Sequence, residues 1–128
     1  YEITPTSYSL SLDLIPDCMG TTACTFGEVS GAKITANTPK IPEDYTIHQQ
    51  MWQDPNIRDI PKSLESPSKV QLAQGITGYF IPFFCATACD SSRIIWDLNG
   101  YRYQVGIKAA YKKTVIDMAN SAILNQQP

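Results

Sequence analysis

Residues 93–108 read RIIWDLNGYRYQVGIK, and the fold follows from how this stretch is paired. Asn99-Gly100 at its centre is the pair favoured in a two-residue type I′ turn, because both central positions need positive φ. A two-residue loop sets the register. Leu98 then faces Tyr101, Trp96 faces Tyr103 and Ile94 faces Val105. All six are apolar or aromatic and lie on one side of the ribbon. The other side pairs Asp97 with Arg102 and Ile95 with Gln104, so opposite charges meet. A slip of one residue would scatter the apolar set over both faces. Turn chemistry and side-chain pattern therefore agree on a hairpin with one buried face.

After Lys108 the period changes. Tyr111, Val115, Met118, Ala119 and Ala122 recur at helical spacing, while Lys112, Lys113, Asp117 and Asn120 fall elsewhere on the wheel. The spacing predicts a helix over about 109–124, laid on the apolar face of the hairpin. Ala119 and Ala122 would allow close approach.

Before the hairpin, KVQLAQGITGYFIPFF (69–84) divides into two β segments, near 69–73 and 76–84, with Gly75 and Gly78 marking a turn or bulge. Pro82 lacks an N–H and points to an edge position or a bulge. Further upstream, SYSLSLDLI (7–15) alternates. Tyr8, Leu10, Leu12 and Leu14 face one way, and Ser7, Ser9, Ser11 and Asp13 the other. GEVSGAKITAN (27–37) allows a further strand at about 28–36. The expected architecture is α+β in a single domain, residues 1–128. It has an antiparallel meander of about four to six strands, with the C-terminal helix packed on one face.

Residues 37–68 differ from the rest. Five of the nine prolines lie there: Pro39, Pro42, Pro55, Pro61 and Pro67. Proline removes ladder and helix donors, so the reading is a proline-rich surface excursion with at most one short helical turn near TIHQQMW (46–52). Tyr45, Met51 and Trp52 are its apolar content. A concave surface between this excursion and the sheet is the expected binding site, with Tyr45, Trp52 and Tyr79 as its candidate residues.

Four cysteines form two local clusters, Cys18/Cys24 and Cys85/Cys89. A zinc site needs four thiolates from short knuckles, and the spacing of Cys18 and Cys24 is too long for one. A reactive dithiol needs an activating neighbour, and CATAC (85–89) supplies none. The expected state is structural disulfide, with Cys18–Cys24 and Cys85–Cys89 preferred among the three pairings. Each such loop removes only about 2 kcal/mol of unfolded-chain freedom, against about 4 for a long-range pair. Structural disulfides point to a periplasmic, cell-surface or secreted location.

Composition narrows the function classes. The chain has 128 residues, 43% hydrophobic and 17% charged, with a net charge of −2. A basic surface able to neutralise phosphates is missing, so nucleic acid is discounted. No run of roughly 18 apolar residues occurs, so no transmembrane segment is expected. The chain starts at Tyr1 rather than Met, and the expectation is that an anchor or leader was removed upstream. No cofactor fingerprint, nucleophile elbow or metal motif is present. His48, the one histidine, and the loop acids Glu43, Asp44, Asp54, Asp59 and Glu65 are the only raw material for hydrolysis.

WDLNGYRYQV (96–105) followed by VIDMANS (115–121) resembles the end of uncharacterised bacterial extracytoplasmic domains. The matching positions are Trp96, Gly100, Tyr103, Ala119 and Ser121. GYFIPFFCATAC (78–89) is similar to exported or lipoprotein-like domains of cyanobacteria. The resemblance covers about 50 residues and implies an envelope location and a strand–strand–helix ending. The expected function is a non-enzymatic binding or structural module that engages an envelope component or a small ligand, without cofactor. The alternative is a small extracytoplasmic hydrolase using loop carboxylates or His48.

Overall fold

The computed structural model describes residues 2–3, 7–13, 25–54, 65–83 and 90–125. Seven strands form one antiparallel sheet. They are β1 (Glu2–Ile3), β2 (Ser7–Asp13), β3 (Thr25–Lys33), β4 (Ser68–Gln71), β5 (Thr77–Ile81), β6 (Ser91–Leu98) and β7 (Tyr101–Lys108). Their spatial order is β1-β2-β3-β7-β6-β5-β4. Two meanders, β1 to β3 and β4 to β7, thus meet where β3 pairs with β7. Counting the two-residue β1 separately, six strands of ordinary length carry the sheet. Among the described residues two α-helices, α1 (Glu43–Gln53) and α2 (Lys112–Asn125), accompany the sheet.

The hairpin of β6 and β7 has the predicted register, with Leu98 opposite Tyr101, Trp96 opposite Tyr103, Ile94 opposite Val105 and Asp97 opposite Arg102. Asn99 and Gly100 adopt φ of 53° and 83°, the positive values that a type I′ turn requires. Trp96, Ile94 and Val105 are buried, and α2 covers this face through Val115, Ala119 and Ile123. Burying each of these larger side chains is worth roughly 1.5–3 kcal/mol. α2 begins at Lys112, three residues later than expected. Tyr111 consequently falls outside the helix, and with 75% of its surface exposed it does not join the core.

Around the hairpin the strands fall near their expected positions. Pro82 follows the last residue of β5, a strand flanked on both sides by β4 and β6. The proline therefore ends a central strand rather than marking an edge. Gln74 and Gly75 take the positive φ of the β4–β5 turn. Gly31 in β3 lies under an aromatic ring, where a Cβ would stand 2.6 Å from Tyr8 Cε1.

The largest departure is α1. A helix of 11 residues stands where at most one helical turn was expected. The prolines explain it. Pro42 occupies the N-cap, next to the position where a missing N–H costs nothing, and the next proline is Pro55. The intervening residues contain neither proline nor glycine, so nothing breaks the helix before its end.

Candidate functional site

The two faces of the sheet are covered unequally. α2 takes the face of Trp96 and Val105. On the opposite face α1 sits over β5, where Tyr45 packs with Ile81, Ile95 and Tyr79. Beyond α1 this second face continues across β7, β3 and β2, and there it forms a groove of about 560 Å³. The volume lies within the range of small-ligand sites.

Strand pairing builds the floor. Ser30 is opposite Gln104, Ala32 is opposite Arg102, and Ser7 is opposite Ala32. Period-two alternation puts these side chains on one face. Ile95, opposite Gln104, supplies an apolar floor residue next to α1. Pro39, Pro42, Glu43 and Asp44 form the wall. Tyr8 and Gly31 also border the groove. Tyr8 stacks over Gly31 beside Tyr103, on the other face, so it offers the groove its main chain.

Arg102 and Asp44, two of the three charged residues here, are already paired. Arg102 forks onto Asp97, with Nε donating to Oδ1 at 2.8 Å and Nη2 to Oδ2 at 3.1 Å. Its Nη2 also donates to the main-chain oxygen of Lys40 at 3.1 Å, which fixes the wall to the floor. Arg93 Nη1 meets Asp44 Oδ2 at 2.8 Å. Gln104 Nε2 donates to Glu28 Oε1 at 2.7 Å. What the groove presents is thus mainly hydroxyl, amide and apolar surface, with paired Arg102 and Asp44 and the Glu43 carboxylate at its rim. Such a lining suits orientation and hydrogen bonding of a ligand.

The residues singled out in the sequence take different places. Tyr45 and Tyr79 are brought together, with ring centroids 4.9 Å apart and an interplanar angle of 64°. Tyr45 is buried at 4% exposure, and its hydroxyl accepts from Gln49 Nε2 at 3.0 Å. Burial raises the Tyr45 pKa above the usual tyrosine range, and the nearby Tyr79 adds to the shift; the Gln49 hydrogen bond opposes them. Trp52 is half-buried two turns further along α1, on the side of Tyr45. The groove is lined by other residues. His48 Nδ1 donates to the main-chain oxygen of Asp44 at 2.8 Å, a contact within one helix. Among the described residues no group of three or more His, Cys, Asp or Glu side chains could hold a metal ion. The four cysteines, and with them the Cys18–Cys24 and Cys85–Cys89 pairings, lie outside the described residues, as does Asp59.

Ser30, Ala32, Arg102 and Gln104 were not singled out as site residues. Their signal was present as the polar side of two alternating segments. Only the β3–β7 pairing shows that the two polar sides are neighbours. No helix among the described residues is long and apolar enough to cross a membrane. No family model matches the chain, and no curated protein or solved structure is similar to it.

Proposed function

We propose that the chain is a non-enzymatic binding module of the cell envelope, and that the groove between residues 39–44 and the sheet is its ligand surface. The observation that carries this reading is the groove's composition. Ser30 and Gln104 line its floor with Ile95 and Ala32, Pro39 and Pro42 line its wall, and its arginine and aspartate are already paired. A ligand held there is uncharged where it meets the floor, because displacing a paired ion leaves its partner unsatisfied. The envelope location rests on the resemblance of the C-terminal third and on the expected disulfides.

The experiment is a titration of 15N-labelled protein with short neutral peptides and with cell-wall glycan fragments, beside an Ala32→Trp variant. Ala32 is exposed on the groove floor, so the indole fills the groove without entering the core. The expected result is shift changes centred on Ser30, Ala32 and Gln104 that vanish in the variant. Changes centred elsewhere, or unaltered by the tryptophan, would overturn the assignment.

A further inference from the structure

We infer that α1 is a lid: it lifts from the sheet as a unit while the sheet and α2 stay folded, and its lifting joins the groove to the apolar strip beneath it. The regulatory meaning of this motion rests on the groove being the ligand surface; the motion itself does not.

The anchoring of α1 is the first ground. One side chain of the helix, Tyr45, is buried, whereas α2 buries Val115, Ala119 and Ile123. Among the described residues, arginines of the sheet also reach this segment. Arg93 reaches Asp44, whose side chain is 55% exposed, and Arg102 reaches the Lys40 carbonyl. The Arg93–Asp44 pair is open to solvent on its aspartate side, which limits its contribution. Pro42 caps the helix without a side-chain hydrogen bond. The apolar cluster beneath α1, Tyr45 with Ile81 and Ile95, is smaller than the one beneath α2, so opening α1 costs less than opening the α2 side.

The second ground is independent of the first. The sheet does not need α1 to stay paired, because β5 and β6 are bonded to each other and their other face is packed under α2. The third ground ties the lid to the groove. Ile95 lies under Tyr45 and also floors the groove, while Asp44 forms part of the groove wall and also clasps Arg93. A ligand touching both wall and floor thus interacts differently with the closed and open states, which is the condition for shifting their populations.

Native-state hydrogen exchange in the full chain tests this without any ligand. Amides within 46–53 should open at least about 100-fold more often than those of β6 and β7, with little dependence on low urea. Asp44→Asn and Arg93→Gln should each raise the α1 opening by about two- to five-fold and leave β6 and β7 unchanged. Raising the salt concentration should do the same to the wild-type chain. A single opening free energy shared by α1, β6 and β7, or equal effects of Asp44→Asn on all three, would overturn the lid. Either of those results leaves the groove titration standing, and a failed titration leaves the exchange result standing.

Discussion

Helices α1 and α2 cover opposite faces of one sheet, and they are held there by different means. α2 presses three buried side chains into a core of Trp96, Phe80, Ile94 and Val105. It is also wired to its surroundings at its first residue and in its middle. Glu65 Oε1 accepts from the Lys112 N–H at 3.1 Å, and Asn120 Oδ1 accepts from the Ala73 N–H at 2.7 Å. Among the described residues α1 buries Tyr45 alone, over Ile81 and Ile95, and is reached by Arg93. The contrast teaches where rigidity and adaptability lie. The α2 side is the scaffold. The α1 side borders the groove, and it is cheap to rearrange.

The contrast can be tested from its strong side first. Ile123→Ala should destabilise the whole domain by about 2–5 kcal/mol, because it empties a fully packed position. Urea unfolding should show a lower midpoint with an unchanged slope. A change confined to α2, with the hairpin intact, would break the view of α2 as scaffold.

Asn120→Ala comes next. It leaves the half-buried Ala73 N–H without its acceptor, at about 1–3 kcal/mol. The loss should appear in global unfolding and in faster exchange of the Ala73 amide. Asn120→Asp keeps an acceptor and should recover most of it.

On the α1 side the sharper probe is pH. The folded Tyr45 pKa is raised, so above about pH 10 the unfolded chain loses that proton first. The unfolded state then binds fewer protons, and stability falls with rising pH. The contribution is complete below the unfolded value and is lost between it and the folded value. Tyr8, raised by burial and by Tyr103, adds a term of the same sign. Tyr45→Phe should flatten the alkaline decline in part. If α1 moves separately, its amides should respond before those of β7.

The smallest effect is expected at Ser68. Its Oγ is buried with no hydrogen-bond partner among the described residues. Ser68→Ala removes an unsatisfied group and should leave stability unchanged or slightly raised. A clear loss measured by thermal unfolding would mean that the hydroxyl has a partner.

Much of the α2 side was legible in the residues. Asn99-Gly100 carries its backbone preference locally, and the alternation on either side carries the register. Val115 and Ala119 of the helical set are buried as the period implies, whereas Tyr111 of that set is exposed and the buried Ile123 was not part of it. The α1 side was harder to read. Its prolines suggested a loop because each one breaks regular structure, yet what counts is the proline-free interval between them. Ile95 was assigned to the polar side of the hairpin, and it is buried because α1 covers it. Tyr45, Trp52 and Tyr79 were chosen as large aromatic groups near a concave surface. The structure packs Tyr45 against Tyr79, while the groove beside them is built from serine, glutamine, proline and small apolar residues with few aromatics.

By itself, the order of residues determined the tight turn, the strand alternation and the C-terminal helix, since φ preference and side-chain period act over a few neighbours. Only the tertiary structure decided that β3 lies against β7 and that α1 covers the second face. It thereby placed Ser30, Gln104, Pro39 and Asp44 around one groove. Such contacts join residues tens of positions apart. Their free energy depends on which surfaces remain open once the local elements have formed, and no short window of sequence records that.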